Sequence, residues 1–362
     1  DRLRRTVTPA EASAVLGLLA GRSSAAAKFE DAARLFIDRE AAEQATSETV
    51  ARHTARRFAG AGRVADLGAG AGGDALAIAE HAPTVAVERD PSRVAMLSAN
   101  VEVRGLGDRL QVSLGDAEQD ALLEDVDAVW LDPGRRDARG RVRDPERWSP
   151  PLSTALRLAS KVSRAGIKVA PGIDLALAPP DTEVECISLD GTLVETVFWL
   201  GTAVSTARRA TVLRAGLEGA SVAGDPDRGA TPVGAPGRYL YDLDPAVGRA
   251  SLVDAVAPLL HAWRLDELTA YLGGDEAIDS PFARRFRIDT WLPFSERRLL
   301  ATLRDLHVGR VEVMRRASPV DTNALEVRLN RALARGAHGD AVRTVALTRL
   351  QGNHAAVICE RC

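Results

Sequence analysis

From about residue 61 to 203, short apolar runs alternate with stretches of helical periodicity. Val64, Ala65 and Leu67 read as a buried strand that breaks into a glycine-rich turn, followed by a helix at Ala75-Leu-Ala-Ile-Ala-Glu80. Thr84–Glu88, Leu110–Leu114, Asp127–Leu131 and Gly166–Ala170 predict further strands, with helices at Ser92–Val103 and Pro151–Ser163 between them. Glu183–Leu189 and Leu193–Leu200 are joined by Asp190-Gly191, a dipeptide that suits the positive φ angles of a tight hairpin turn. The pattern predicts an α/β domain whose strands lie parallel until a closing antiparallel hairpin.

The flanks read differently. Residues 1–60 predict a helical segment, with Thr8-Pro9-Ala-Glu11 as a capped start. A second helix is expected from Ser24 to Glu40, its apolar face formed by Ala26, Phe29, Ala33 and Phe36. A third begins near Thr46-Ser47-Glu48-Thr49 and carries Val50, Ala51, Thr54, Ala55 and Phe58. Residues 204–235, rich in Gly, Pro and Asp, predict a linker or hairpin. Residues 236–362 predict a smaller α+β domain. Its strands are expected at Arg238–Leu243, Phe286–Trp291 and Gly309–Met314, and its helices at Ala250–Ala262, Ser295–Leu306 and Asp321–Leu333. A final hairpin is expected to turn at Gln351-Gly-Asn353.

Composition changes this picture little. The 362 residues are 46% hydrophobic and 27% charged with net charge −3, ordinary for a soluble protein and without a global basic excess. Arginine replaces lysine almost throughout, leaving only Lys28, Lys161 and Lys168. No apolar run is long enough to span a membrane and no leader-like segment opens the chain, so a cytoplasmic location with no membrane partner is expected. The lone Cys359-Glu-Arg-Cys362 pair cannot close a zinc site, and no metal is expected.

The candidate chemistry begins at Arg63-Val-Ala-Asp-Leu-Gly-Ala-Gly-Ala-Gly-Gly-Asp74. Glycines there permit positive φ and let an adenosine cofactor approach the backbone. Gly68, Gly70 and Gly73 fit the spacing of nicotinamide enzymes, and Gly68, Gly70 and Gly72 that of S-adenosylmethionine enzymes. The spacing alone leaves both open. Glu88 ends the second strand where a carboxylate can accept ribose hydroxyls.

Asp66-Leu-Gly-x-Gly-x-Gly, Glu88, Gly115-Asp116-Ala117 and Leu131-Asp132-Pro133 stand in the order of class I S-adenosylmethionine-dependent methyltransferases, which this chain resembles. The acid before the glycines and the closing hairpin are typical of that Rossmann-like family and argue against a dehydrogenase. The resemblance implies S-adenosyl-L-methionine as cofactor. Asp66, Gly68, Ala69, Gly70, Gly72, Gly73 and Asp74 would flank its methionine part, Glu88 and Arg89 its ribose, and Asp116 and Ala117 its adenine. The segment from Leu35-Phe36 through Gln44-Ala45-Thr46 to His53 is similar to the one that closes over the cofactor in trimethylguanosine-synthase-like RNA methyltransferases, which adds Gln44 and Thr46. Pro293-Phe-Ser-Glu-Arg-Arg, Val308-Gly-Arg-Val-Glu-Val and the terminal hairpin resemble the THUMP-like domain of bacterial relatives.

In enzymes that methylate exocyclic base amines, the loop after strand four reads Asp/Asn-Pro-Pro-aromatic. The acid and the proline carbonyl accept the amine hydrogens, and the aromatic ring stacks on the extruded base. Asp132 and Pro133 match as the catalytic pair, but Gly134 and Arg135 replace the second proline and the ring. Arg135 and Arg136 can stack on a base or bind phosphate, Trp148 can supply a ring, and Asp174 after strand five is a further substrate candidate. The resemblance implies methylation of a base nitrogen in tRNA or rRNA. A small-molecule or protein methyltransferase, and a non-catalytic cofactor- or RNA-binding module with a degenerate loop, are the alternatives.

Overall fold

A computed structural model describes residues 8–119, 123–137, 140–335 and 339–362. The chain divides into two units, Asp1–Ala207 with Leu213–Gly219, and Arg208–Val212 with Ala220–Cys362.

The first unit opens with α1 (Pro9–Ala25), α2 (Arg39–Gln44) and α3 (Glu48–Ala55). The Thr8 hydroxyl and the Glu11 carboxylate cap α1 reciprocally, as the sequence implies. The helix expected over Ser24–Glu40 does not form. The chain turns after Ala25 instead, and Phe29, Ala32, Leu35 and Ile37 fold back into a buried cluster with Ala41 and Ala42. Gly21 makes room for that return, since a Cβ there would lie 1.9 Å from the Ile37 carbonyl oxygen. Extended backbone at Asp38 then starts α2, with its carboxylate accepting the Ala41 N–H at 2.8 Å.

The sheet of this unit contains β1 (Val64–Leu67), β2 (Thr84–Glu88), β3 (Leu110–Leu114), β4 (Ala128–Leu131), β7 (Arg164–Val169), β8 (Glu183–Leu189) and β9 (Thr192–Gly201). A small ribbon, β5 (Arg136–Asp137) with β6 (Gly140–Arg141), stands apart from it. Helices α4 (Gly73–Ala79), α5 (Pro91–Arg104) and α6 (Leu152–Ala159) alternate with the strands. The strand order is β8-β9-β7-β4-β1-β2-β3, parallel except at β9, which runs antiparallel to both β7 and β8. Asp190 and Gly191 both have positive φ, as their hairpin turn requires. The order reverses between β1 and β4, so the carboxyl ends of these two strands flank the crevice where such sheets bind ligands. Beneath it, the rings of Phe58, Trp130 and Trp199 pack with centroids 5.7–6.1 Å apart. Gly166 leaves the space they need, because a Cβ there would come within 2.6–2.8 Å of both indoles.

β10 (Arg208–Leu213) and β11 (Ala220–Gly224), which fall in the second unit except for Leu213, form an antiparallel hairpin. The loop that follows is held by Asp254, whose carboxylate accepts the N–H groups of Arg228, Ala230 and Thr231. The helix expected over Ala250–Ala262 is replaced by α7 (Pro245–Ala250), α8 (Val253–Val256) and a 3-10 turn at Ala257–Leu260. Ser251 adopts a left-handed conformation that ends α7. A second sheet runs β13-β14-β12-β15-β18-β17-β16. Its strands are β12 (Tyr239–Leu243), β13 (Ala262–Arg264), β14 (Tyr271–Gly274), β15 (Ala283–Pro293), β16 (Val308–Arg315), β17 (Ala341–Leu350) and β18 (Asn353–Arg361). Leu299 and Leu303 of α9 (Glu296–Asp305) and Leu325, Leu329 and Leu333 of α10 (Thr322–Leu333) cluster with Val308, Val311, Val345 and Leu347 of its strands. The terminal hairpin of β17 and β18 forms where it is expected, with Gln351 and Gly352 at positive φ in its turn.

Candidate active site

The turn after β1 is built by three left-handed glycines, Gly68, Gly70 and Gly72, with φ of 92°, 57° and 96°. The N–H groups of Gly68 and Ala69 donate to the Val87 carbonyl at 2.9 and 3.1 Å, which ties the turn to β2. Glu88 completes the brace, its two carboxylate oxygens accepting the N–H groups of Gly70 and Asp90, each at 2.9 Å. Each oxygen keeps a further lone pair. A Cβ on Gly70 would meet nothing within 4 Å, so this point of the turn faces open space.

That space is a cavity of about 1050 Å³. Its wall takes in the glycine turn, Glu88 and Arg89 after β2, Asp116 and Ala117 after β3, and Asp132 and Pro133 after β4. Gln44 and Thr46 of the N-terminal segment line it as well. Almost every cofactor candidate read from the sequence is thus brought to one crevice. Gly72 lies behind the wall, against Leu97.

The floor is a buried cluster of acids with one cation. Asp66 is buried and neither carboxylate oxygen has a hydrogen-bond partner among the described residues; one oxygen of Asp74 is in the same state. Burial raises the Asp66 carboxyl well above the usual range, and the charges of Asp74 and Asp132 push the same way. Burial raises Asp74 too, against the pull of the Lys168 ammonium. Lys168, on β7, donates to Thr46 Oγ1 and to Asp132 Oδ2, both at 2.6 Å, and its Nζ lies 3.8 Å from Asp74 Oδ2. The Thr46 hydroxyl in turn donates to Asp74 Oδ2 at 2.9 Å. Burial alone would lower the Lys168 pKa, but Asp132, Asp74 and Glu195 outweigh it and hold the ammonium above its ordinary value. Glu195 on β9 is pushed up to about 8, chiefly by burial.

The substrate candidates fare differently. Gly134 and Ser149 pair in an isolated antiparallel bridge, with hydrogen bonds of 2.7 and 3.0 Å, so the chain after Asp132 rises as a hairpin-like excursion and returns. Arg135 lines the cavity. The backbone of Arg136 forms β5, and its side chain lies outside the described residues. Trp148 corrects the expectation of a stacking platform. Its ring is buried and its indole N–H donates to the Val142 carbonyl at 3.1 Å, which fastens the excursion from within. Asp174 is likewise absent from the cavity wall; its carboxylate caps a short 3-10 turn by accepting the Ala176 N–H at 3.0 Å. Lys168 and Glu195 belong to no motif, and sequence reasoning misses them. The one signal for Lys168 is a charged residue inside an otherwise apolar strand, in a chain nearly devoid of lysine.

Residues 61–160 match the family described as RNA cap guanine-N2 methyltransferase, and residues 283–361 match the family described as THUMP domain-like. An uncharacterised S-adenosylmethionine-dependent methyltransferase of Mycobacterium tuberculosis, found in the CDC 1551 and H37Rv strains, is 34% identical over 305 residues, 82% of this chain and 80% of the relative. The chain belongs to the S-adenosylmethionine-dependent methyltransferases. A crystal structure from Porphyromonas gingivalis W83, described as a candidate methyltransferase, superposes with a TM-score of 0.80 at 20% identity, covering 98% of this chain and 92% of that one. It shares the fold.

The methyltransferase's cavity suits its cofactor on its own chemistry. Unpartnered buried carboxylate oxygens at Asp66 and Asp74 are acceptors for a cationic ligand, and the turn at Gly70 is open where a side chain would intrude. Among the described residues no group of His, Cys, Asp and Glu could hold a metal ion, and no helix is long and apolar enough to cross a membrane.

Proposed function

We propose that this methyltransferase methylates a base nitrogen in RNA, tRNA or rRNA, with Asp132 as the acceptor for the target N–H. The observation that carries the reading is the place of Asp132. It directly follows β4 on the cavity wall, beside the glycine turn, where a Cβ on Gly68 would lie 3.6 Å from its carbonyl oxygen. The matched guanine-N2 methyltransferase family spans this loop, and the THUMP-like segment later in the chain is, in this reading, the part that engages RNA.

When bound, the cofactor supplies an electrophilic methyl group on a sulfonium. The protein's part is positioning in a site shielded from water. Asp66, Asp74 and the glycine turn hold the amino-acid end, Glu88 and Arg89 the ribose, and Asp116 and Ala117 the adenine. Thr46 closes the crevice. Asp132 and the Pro133 carbonyl accept the target N–H groups and aim the nitrogen lone pair, while Arg135 meets phosphate or the face of the base.

No aromatic side chain lines the cavity among the described residues, which favours, as a second reading, an acceptor amine on a small molecule or protein. Labelled methyl transfer to unmodified RNA, and in parallel to protein and metabolite pools, separates the two. The RNA reading expects label in RNA and a loss of about a hundredfold or more in Asp132→Ala, which removes the acceptor that aims the nitrogen. Label confined to the other pools would sink it.

A further inference from the structure

We infer that Lys168 is a positioning residue for methyl transfer: its ammonium grips one oxygen of Asp132, leaves the other for the acceptor N–H, and locks this arrangement to Thr46 of the N-terminal segment. The inference rests on the reading of Asp132 as the acceptor acid.

The geometry argues for more than a structural ion pair. Lys168 is 5% exposed, so its ammonium is removed from water. Burying an ion pair is seldom worth its desolvation, and apolar residues of similar volume serve stability as well or better. The β7 neighbours Ile167 and Val169 are themselves fully buried and apolar, which makes the lysine the one charged residue on the buried length of its strand, Ala165 to Val169. Its two short bonds go to two groups on the cavity wall, one from the loop after β4 and one from the segment before α3. The chain of contacts Asp132–Lys168–Thr46–Asp74 therefore joins the acceptor loop, the central strand, the N-terminal segment and α4. Asp132 retains a part-exposed carboxylate on the cavity side while Lys168 holds it from below.

The groups facing this ammonium come from every neighbouring element. They are Asp66 of β1, Asp74 of α4, Asp132 after β4 and Glu195 of β9, with Glu185 of β8 beyond Glu195. Among the described residues the bases against this cluster include Lys168 and, at Glu185, the His53 imidazole at 2.7 Å. Removing Lys168 leaves buried acids to share like charge, and such a cluster takes up protons in the neutral range. An acid whose folded pKa is raised contributes stability at low pH that is lost as pH rises through that pKa.

The test uses the full chain as Lys168→Met, Lys168→Arg, Asp132→Asn and the Lys168→Met/Asp132→Asn double variant. Melting temperature is followed from pH 5.5 to 8.5 without substrate, and kcat is followed over the same range with saturating cofactor and RNA. Lys168→Met should lose melting temperature increasingly as pH rises, and Asp132→Asn should restore much of that loss. Its kcat should fall about a hundredfold at neutral pH, with a pH dependence the wild type lacks, while the dissociation constant for S-adenosylmethionine stays within a few-fold. Lys168→Arg should recover the wild-type melting profile and part of kcat. A melting loss independent of pH and untouched by Asp132→Asn overturns the inference. So does a kcat loss with an unchanged pH profile, or one matched by an equal loss of cofactor affinity. If the wild type transfers to no RNA, the acceptor reading of Asp132 fails, and the melting series still decides whether Lys168 and Asp132 are coupled.

Discussion

Asn100 of α5 grips both backbone groups of Phe36: its Oδ1 accepts the Phe36 N–H at 2.7 Å and its Nδ2 donates to the Phe36 carbonyl at 3.0 Å. The same amide also donates to the Ala71 carbonyl at 3.1 Å. One buried side chain thus pins the N-terminal segment and the glycine turn to a common helix. Replacing it by alanine strands three backbone groups. The expected loss is about 3 kcal/mol of stability by urea unfolding, at about 1 kcal/mol, the low end for an unpaired group, for each of the three part-buried groups. Calorimetry should show weaker cofactor binding in the same variant. Asn100→Asp should be worse than alanine, because a carboxylate would face two carbonyls.

Gly70 and Gly72 share a left-handed backbone but not an environment. Gly70→Ala should remain folded, at a cost of about 1–2 kcal/mol for the positive φ, while its methyl group narrows the cofactor crevice and lowers affinity at least about tenfold, each 1.4 kcal/mol of lost binding being one such factor. Gly72→Ala should act on the fold instead. Its Cβ would lie 2.3 Å from Leu97 Cδ1, and Leu97 is fully buried. Overpacking there adds about 1–3 kcal/mol to the backbone strain. Equal effects of the two substitutions on stability would contradict this division.

Asp66 should make cofactor binding proton-linked. Burial and its acidic neighbours hold its carboxyl well above the usual range, so a cationic ligand that favours the carboxylate competes there with a proton. Affinity for S-adenosylmethionine should therefore rise with pH and then level off. Calorimetry in buffers of different ionisation enthalpy should register proton release. In Asp66→Asn both the release and the slope should shrink, Asp74 keeping a share of the linkage, and binding should weaken.

Glu195 should shape the stability profile in the opposite sense to an ordinary surface acid. Its folded pKa is raised from 4.5 to about 8. Its contribution is therefore complete below about pH 4.5, declines as pH rises, and is gone above about pH 8. Glu195→Gln removes the titration. The melting temperature of the variant relative to wild type should climb between pH 5 and 8.5 and flatten beyond. A constant difference over that range would show that Glu195 does not titrate there.

The parts of this protein legible in its sequence are those written in local signals. The glycine turn, the strands that feed the crevice, the Asp190-Gly191 hairpin and the terminal hairpin each depend on a few adjacent residues, so period and turn chemistry suffice. The carboxyl ends of parallel strands necessarily share one edge of a sheet, so the strand pattern by itself places Asp66, Glu88, Asp116 and Asp132 together. Tertiary structure alone decided the rest. Phe29 and Phe36 carry helical spacing, yet residues 26–34 form turns, because the fold-back over Gly21 buries Leu35 and Ile37 as well. Trp148 became an internal fastener and not a platform because Val142 comes back to meet its indole N–H. Above all, the setting of Lys168 among Thr46, Asp74, Asp132 and Glu195 joins residues from five separate stretches of chain. A side chain's charge environment is made by neighbours distant in sequence, and no local pattern records who they are.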